Sequence, residues 1–268
     1  MTFADLALAK RLERAEGYGC LKFAEARQRI SRAAGSEWIE CAGAYVVFDG
    51  VESPVTQTFC LGLFETITPA VLDTIEAFFR ERGAPIHHEV SPLAGIAALD
   101  LLCTRGYRPI EIASVLHQPV QPPQSPQAGN GIVVRLIDPD EAALWAQTGA
   151  QGWMGEHPEL EAFFADFGRI AAAREGMACF IAEIDGQPAA TGALSIHEGV
   201  ALFAGASTVP KFRRRGLQAA LLNARMSYAS ERGCDLAMMV AEAGSGSQRN
   251  AERQGFRIAY TRTKWKLT

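Results

Sequence analysis

Residues 209–222 read Val-Pro-Lys-Phe-Arg-Arg-Arg-Gly-Leu-Gln-Ala-Ala-Leu-Leu. An apolar stretch runs into a short basic turn, and the turn opens a long amphipathic helix. The first backbone N–H groups of a helix have no partner inside it. The helix dipole adds partial positive charge at the same end. Gly216 lets backbone approach a ligand without a side chain in the way. Arg213, Arg214 and Arg215 add full charges. Together these make a site for a phosphate or pyrophosphate. Two common phosphate motifs do not fit. A P-loop needs Gly-x-x-x-x-Gly-Lys-Ser/Thr, and a dinucleotide fingerprint needs three spaced glycines where Gly216 stands alone.

The elements that would hold this turn follow from local patterns. Residues 200–209 read as the strand that feeds it. Arg232-Gly233 ends the helix, with Gly in a left-handed cap. Residues 235–242 form a short apolar strand, Gly244-Ser245-Gly246 breaks it, and Ser247 is expected to cap a short helix running to Gln254. Gly255-Phe256 ends that helix before a last strand at 257–267. Upstream, 132–137 reads as a strand. Asp138-Pro139 starts a helix to about residue 150, a loop at 151–158 carries Trp153, Met154, Glu156 and His157, and a second helix spans 158–173. Asp185-Gly186 joins strands 177–184 and 187–197 as a hairpin.

Arg213 to Gln218 resembles the Arg/Gln-x-x-Gly-x-Gly/Ala segment of the GCN5-related N-acetyltransferase (GNAT) superfamily, with Gln218 where Gly or Ala is usual. Ser247-x-x-Asn250 and Gly255-Phe256 resemble its second motif, and the element order from 200 to 267 matches its second half. The resemblance implies acetyl-CoA as co-substrate, with no metal. It places the coenzyme A phosphates on Arg213, Arg214, Arg215, Gly216, Leu217, Gln218 and Ala219. The pantetheine arm would lie along free backbone N–H groups of Thr208 and Val209, with Asn250 bonded to it. By the same resemblance the 151–158 loop lines the acceptor site, so Trp153, Glu156 and His157 would face the acceptor.

Acyl transfer to an amine needs a polarised carbonyl, a neutral amine and a stabilised leaving thiolate. The family often has a Glu on the strand before the turn, and 200–209 contains no acid. Glu242, ending the next strand, is the nearest candidate base, against a simple role in capping or ion pairing. His157 is the second candidate, and a water chain the third. The family's thiolate-protonating Tyr falls on Ala251. Tyr260 could substitute, although a plain sheet position suits it better. Three readings stay open: an acyl-CoA-dependent N-acyltransferase acting on a small-molecule or peptide amine, a non-catalytic acyl-CoA-binding or regulatory protein, and a basic contact for nucleic acid or an acidic partner.

Composition argues against the last reading. The net charge of the 268-residue chain is −4 and its pI about 5.8, so its bulk charge recruits neither nucleic acid nor anionic membrane. The basic cluster is local and suits a small anion. Six cysteines lie without any Cys-x-x-Cys spacing, no stretch reaches the length of a bilayer span, and the first residues lack a secretory pattern. A cytoplasmic location is expected. A proline-rich segment at 118–130 would separate a 1–117 domain from a 131–268 domain. The halves look related. Glu81-Arg82-Gly83 matches Glu231-Arg232-Gly233, and Gly106-Tyr107-Arg108 follows the first as Gly255-Phe256-Arg257 follows the second. The first half starts its equivalent helix at Thr68-Pro69, with Glu65 nearby and no Arg-x-x-Gly. The expected fold is α/β (α+β): two tandem GNAT-type domains, each a mixed sheet flanked by helices, the first degenerate. The expected assembly is a monomer whose halves mimic a dimer, or a homodimer.

Overall fold

A computed structural model of the chain describes residues 3–122, 131–154 and 161–268. The helices are α1 (Leu6–Ile30), α2 (Pro69–Arg80), α3 (Ile96–Thr104), α4 (Ala142–Met154), α5 (Glu161–Ala172), α6 (Leu217–Glu231) and α7 (Gly246–Arg253). The strands are β1 (Glu37–Cys41), β2 (Ala44–Phe48), β3 (Gln57–Phe59), β4 (His87–Val90), β5 (Tyr107–Pro119) and β6 (Ile132–Leu136). They continue as β7 (Met177–Ile184), β8 (Gln187–His197), β9 (Val200–Thr208), β10 (Leu236–Glu242) and β11 (Arg257–Leu267). This is a mixed α/β architecture of mostly antiparallel strands flanked by helices. The chain forms two compact units. One takes the described residues of Met1–Gln118 and Met238–Thr268, the other those of Pro119–Ala237.

The first unit orders its strands β1-β2-β3-β4-β11-β5-β10. β11 pairs antiparallel with β4 on one side, Trp265 opposite His88, and with β5 on the other, Thr261 opposite Ser114. The boundary expected at 118–130 therefore does not divide this sheet. A strand from beyond it lies between two strands that precede it, and β4 and β5 have no shared ladder without it. Residues 123–130 of that segment lie outside the described residues. Leu72, Ile75 and Phe79 of α2 and Leu102 of α3 close the core with Val46, Phe48, Val90 and Trp265. Burying such side chains stabilises by about 1.5–3 kcal/mol each. Among the buried apolar groups sits a charged cluster. Arg262 of β11 meets Glu13 at 2.9 Å and Glu16 at 2.7 Å, both on α1, and Glu89 of β4 at 3.1 Å.

The second unit is an antiparallel sheet, β9-β8-β7-β6, with α4 and α5 between β6 and β7 in sequence. Its two tight turns need left-handed backbone at both central residues, which the chain supplies at Asp185 and Gly186 (φ 52° and 71°) and at Glu198 and Gly199 (46° and 77°). α6 packs across the sheet with Leu217, Leu221, Leu222, Met226 and Ala229 buried. α4 lies against β9 because Gly149 and Gly152 let it. A Cβ on Gly152 would sit 1.7 Å from Ser207 Oγ. Trp145 of the same helix donates its indole N–H to Phe180 O at 3.0 Å.

Two expected boundaries differ. α4 continues at least to Met154 and not to about 150, since Gly149 and Gly152 are held inside the helix by its packing on β9. α5 is described from Glu161, and its expected start at 158 lies outside the described residues. α7 is capped by Ser245, whose hydroxyl accepts from Gln248 N, and not by Ser247, which lies inside the helix.

Candidate functional site

The basic turn begins where β9 ends. Val209 leads into a 3₁₀ turn at Pro210–Phe212 that buries Phe212. Arg213 is extended, Arg214 takes a left-handed φ of 64°, and Gly216 caps α6 with φ 86°. A left-handed arginine costs about 1–2 kcal/mol, and such local strain concentrates at binding sites. Gly216 offers no side chain to the helix end. The first closed helical bond runs from Ala220 N to Gly216 O, at 3.1 Å. Among the described residues no backbone acceptor takes the N–H groups of Leu217, Gln218 or Ala219. Arg214 and Arg215 are exposed beside them. Unmet donors, the positive helix end and two exposed guanidinium groups converge on one place, which suits a pyrophosphate.

The matching helix of the first unit lacks this opening. Thr68 caps α2 with its own hydroxyl, accepting from Val71 N at 3.3 Å, and Pro69 at the first helical position has no N–H. One donor is satisfied and another is missing, with no guanidinium close in sequence.

The other expected coenzyme contacts fall differently. Arg213 is anchored on carbonyls: its Nη2 donates to Gly152 O at 2.8 Å and its Nε to Thr208 O at 3.4 Å. Gln218 folds back on the strand, donating from Nε2 to Ser207 O and to Thr208 Oγ1, both at 2.9 Å. Val209 N–H is spent on Ala189 O of β8 at 3.0 Å. By strand alternation the N–H of Thr208 points away from β8, so of the expected pair only Val209 is claimed by that strand. β9 also carries a bulge. Thr191 pairs with Ser207 and Ala193 with Ala204, one residue out of step, with Gly205 at φ 61° and Thr191 Oγ1 bonded to Gly205 O.

Of the expected catalytic and coenzyme-binding residues, Glu242, Asn250 and Tyr260 belong to the first unit. Glu242 is exposed at the end of β10, and Asn250 is exposed on α7. Ala251 is buried, its carbonyl accepting from Phe256 N at 3.1 Å. Tyr260 is buried and donates its hydroxyl to Glu13 Oε1 at 2.9 Å. Burial, then the Glu13 charge, push that phenol far above its usual pKa. This is a sheet residue whose proton is already committed, which disfavours it as donor to a thiolate. Glu156 and His157 lie outside the described residues. Trp153 stands in the last turn of α4, 46% exposed, its ring stacked on Phe164 of α5 at 5.8 Å.

One buried charge escaped sequence reading. Arg225 of α6 is 2% exposed and donates to the carbonyls of Leu221, Ala193 and Ala204, the last two flanking the β9 bulge. Burial lowers its pKa to about 10. Its neighbours in sequence, Ala224 and Met226, gave no sign that a cation lies between sheet and helix. Among the described residues no group of three or more His, Cys, Asp or Glu is arranged to hold a metal ion, and no helix is long and apolar enough to cross a membrane.

Comparison with known proteins agrees with this geometry. The sequence model of the Acetyltransferase (GNAT) family matches residues 141–256, a span that contains β9, the turn and α6. No curated protein matches the chain in sequence. Among solved structures, a GCN5-related N-acetyltransferase from Kribbella flavida is similar with a TM-score of 0.66 at 17% identity, over 92% of this chain and 95% of that one. A tandem GNAT protein from the clavulanic acid biosynthesis pathway is similar with a TM-score of 0.59 at 14% identity, over 84% and 78%. A GCN5-related N-acetyltransferase from Sphaerobacter thermophilus gives 0.54 at 17%, over 83% and 79%. At these identities the likeness is one of fold.

Proposed function

We propose, from the match of the Acetyltransferase (GNAT) family model to residues 141–256, that the chain transfers an acyl group, acetyl in the first instance, from coenzyme A to an amine of a small molecule or peptide. The observation that carries this is the open N-terminus of α6, with its unmet N–H groups at Leu217, Gln218 and Ala219 and the exposed Arg214 and Arg215. In this reading those groups hold the pyrophosphate and Thr208 N–H takes the pantetheine arm. Asn250 and Glu242, which the family resemblance suggests as a further pantetheine contact and as the base, are exposed on the first unit. The thiolate takes its proton from water, because Ala251 offers none and the hydroxyl of Tyr260 is bonded to Glu13. We read the first half as a duplicated framework that has lost its opening at Thr68-Pro69. Transfer then occurs once per chain.

The buried Ala251 and the absence of an acid on β9 favour one other reading, a protein that binds acyl-CoA without turning it over. Two measurements separate the cases. Acetyl-CoA should raise the melting temperature, while ATP and RNA should not, since only a bound ligand stabilises. Thiol release from acetyl-CoA over a panel of amino acids, polyamines, aminoglycosides and peptide N-termini then distinguishes enzyme from binder. If the Arg214→Glu, Gly216→Trp double variant keeps full acetyl-CoA affinity, the pyrophosphate assignment is wrong.

A further inference from the structure

Four elements of the second unit are tied together at one point by side chains that sequence reading gave to the coenzyme or left unassigned. Gly152 lies in the last described turn of α4, and its carbonyl accepts a hydrogen bond from the charged Arg213 Nη2 at 2.8 Å. One turn earlier, Gly149 O accepts from Ser207 Oγ at 2.8 Å. Ser207 O in turn accepts from Gln218, which also holds Thr208 Oγ1. Gly152 is what makes this possible. Any Cβ there would meet Ser207 Oγ and lie 2.9 Å from Thr208 N.

We propose that Arg213 is a positioning residue and not a phosphate ligand: with Gln218 and Ser207 it straps the C-terminal turn of α4 to the end of β9 and the start of α6, so that binding of the coenzyme at α6 is felt by α4. The proposal rests on the coenzyme site proposed above. Arg213 and Arg214 are adjacent but separate in role. The guanidinium of Arg213 is anchored on the Gly152 and Thr208 carbonyls, while Arg214, also exposed, lies at the opening. Charge at 213 acts on α4, and charge at 214 acts on the anion. The strap also fixes the place of Trp153, one residue beyond Gly152, relative to Thr208.

The test uses the intact chain, hydrogen exchange of the α4 amides at 149–154, and calorimetric titration with acetyl-CoA. Arg213→Gln should speed exchange in the last turn of α4 by about tenfold or more, the scale expected for losing a hydrogen bond from a charged donor. Its acetyl-CoA Kd should stay within about threefold of wild type, a spread well under the tenfold that one such bond is worth. Arg213→Lys, which keeps a charged donor, should recover part of the protection. Arg214→Gln should do the reverse, weakening acetyl-CoA and leaving α4 exchange unchanged. In wild type and Arg214→Gln, saturating acetyl-CoA should slow α4 exchange, and in Arg213→Gln it should not. The strap is refuted if Arg213→Gln weakens acetyl-CoA as much as Arg214→Gln does while α4 exchange stays at the wild-type rate. If wild type binds no acetyl-CoA, the coenzyme site fails, and the exchange difference between wild type and Arg213→Gln still decides the strap.

Discussion

Glu13→Gln tests the least expected feature of the first unit. Three carboxylates, Glu13, Glu16 and Glu89, converge on one buried guanidinium, Arg262, and of the three Lys264 reaches only Glu89, at 3.5 Å, while it bonds Glu111 at 3.0 Å. One negative charge is left uncompensated in a place that water does not reach. The chain meets this by holding a proton on Glu13. Burial first, against the opposing pull of Arg262 and with repulsion from Glu16, raises its pKa from 4.5 to about 7. The folded chain keeps that proton up to about pH 7, whereas the unfolded chain loses it near 4.5. Between those values the folded state binds more protons, so this group's contribution to stability falls as pH rises. At 1.36 kcal/mol per pKa unit the full cost is about 3 kcal/mol, complete above neutrality and absent below pH 4.5. A glutamine side chain at this position is neutral at every pH. Its carbonyl can accept from Arg262, and its NH₂ can donate to the Tyr260 hydroxyl once that turns. The measurement is urea unfolding of both proteins from pH 5 to pH 8, following tryptophan fluorescence. The stability difference, Glu13→Gln variant minus wild type, should grow by about 2–3 kcal/mol across that range. Taking the difference matters because His88, fully buried with its pKa lowered to about 3, gives wild type and variant alike an opposite slope on the acid side. A difference that is flat from pH 5 to pH 8 would mean that Glu13 is ionised in the folded chain and that the charge count is wrong.

Other consequences are simpler to check. A fragment of residues 1–117 lacks β11 and so leaves β4 and β5 without a shared ladder; it should show no cooperative melting by circular dichroism, and a folded fragment would refute the role given to β11. Gly152→Ala should destabilise the chain by about 1–3 kcal/mol in urea unfolding, the usual cost of overpacking, because backbone at Thr208 blocks the new methyl. Arg214→Gly should relieve left-handed strain and raise stability by up to about 1 kcal/mol while weakening acetyl-CoA in titration, so stability and binding should move in opposite directions. Ser245→Ala should cost about 1 kcal/mol by removal of the α7 cap, measured by thermal unfolding, whereas Ser247→Ala should change little.

Much of the framework was legible because it is local. Asp185-Gly186 and Glu198-Gly199 fix left-handed turns through their own backbone preferences. Thr68-Pro69 closes one helix end, and Gly216 leaves the other open, each within four residues. The Arg232-Gly233 stop works the same way: Gly233 takes φ 71° and Cys234 N bonds back to Ala229 O. Turn chemistry and the period of apolar residues therefore determined the elements and the place of the proposed anion site. Which arginine does what was not legible. Arg213, Arg214 and Arg215 are chemically identical, and only the approach of α4 through Gly149 and Gly152 gives Arg213 a carbonyl 61 residues away. The same holds for Arg225, which looks like a solvent-facing helix residue until β8 and β9 fold over it, and for Tyr260, whose hydroxyl is claimed by a glutamate 247 residues earlier. The placement of β11 between β4 and β5 likewise depends on strand partners that no local pattern names. By itself the sequence determined where backbone donors are left open. The tertiary structure decided which side chains remain free to use them, because a side chain's hydrogen-bond capacity is finite and is assigned by whatever packs nearest.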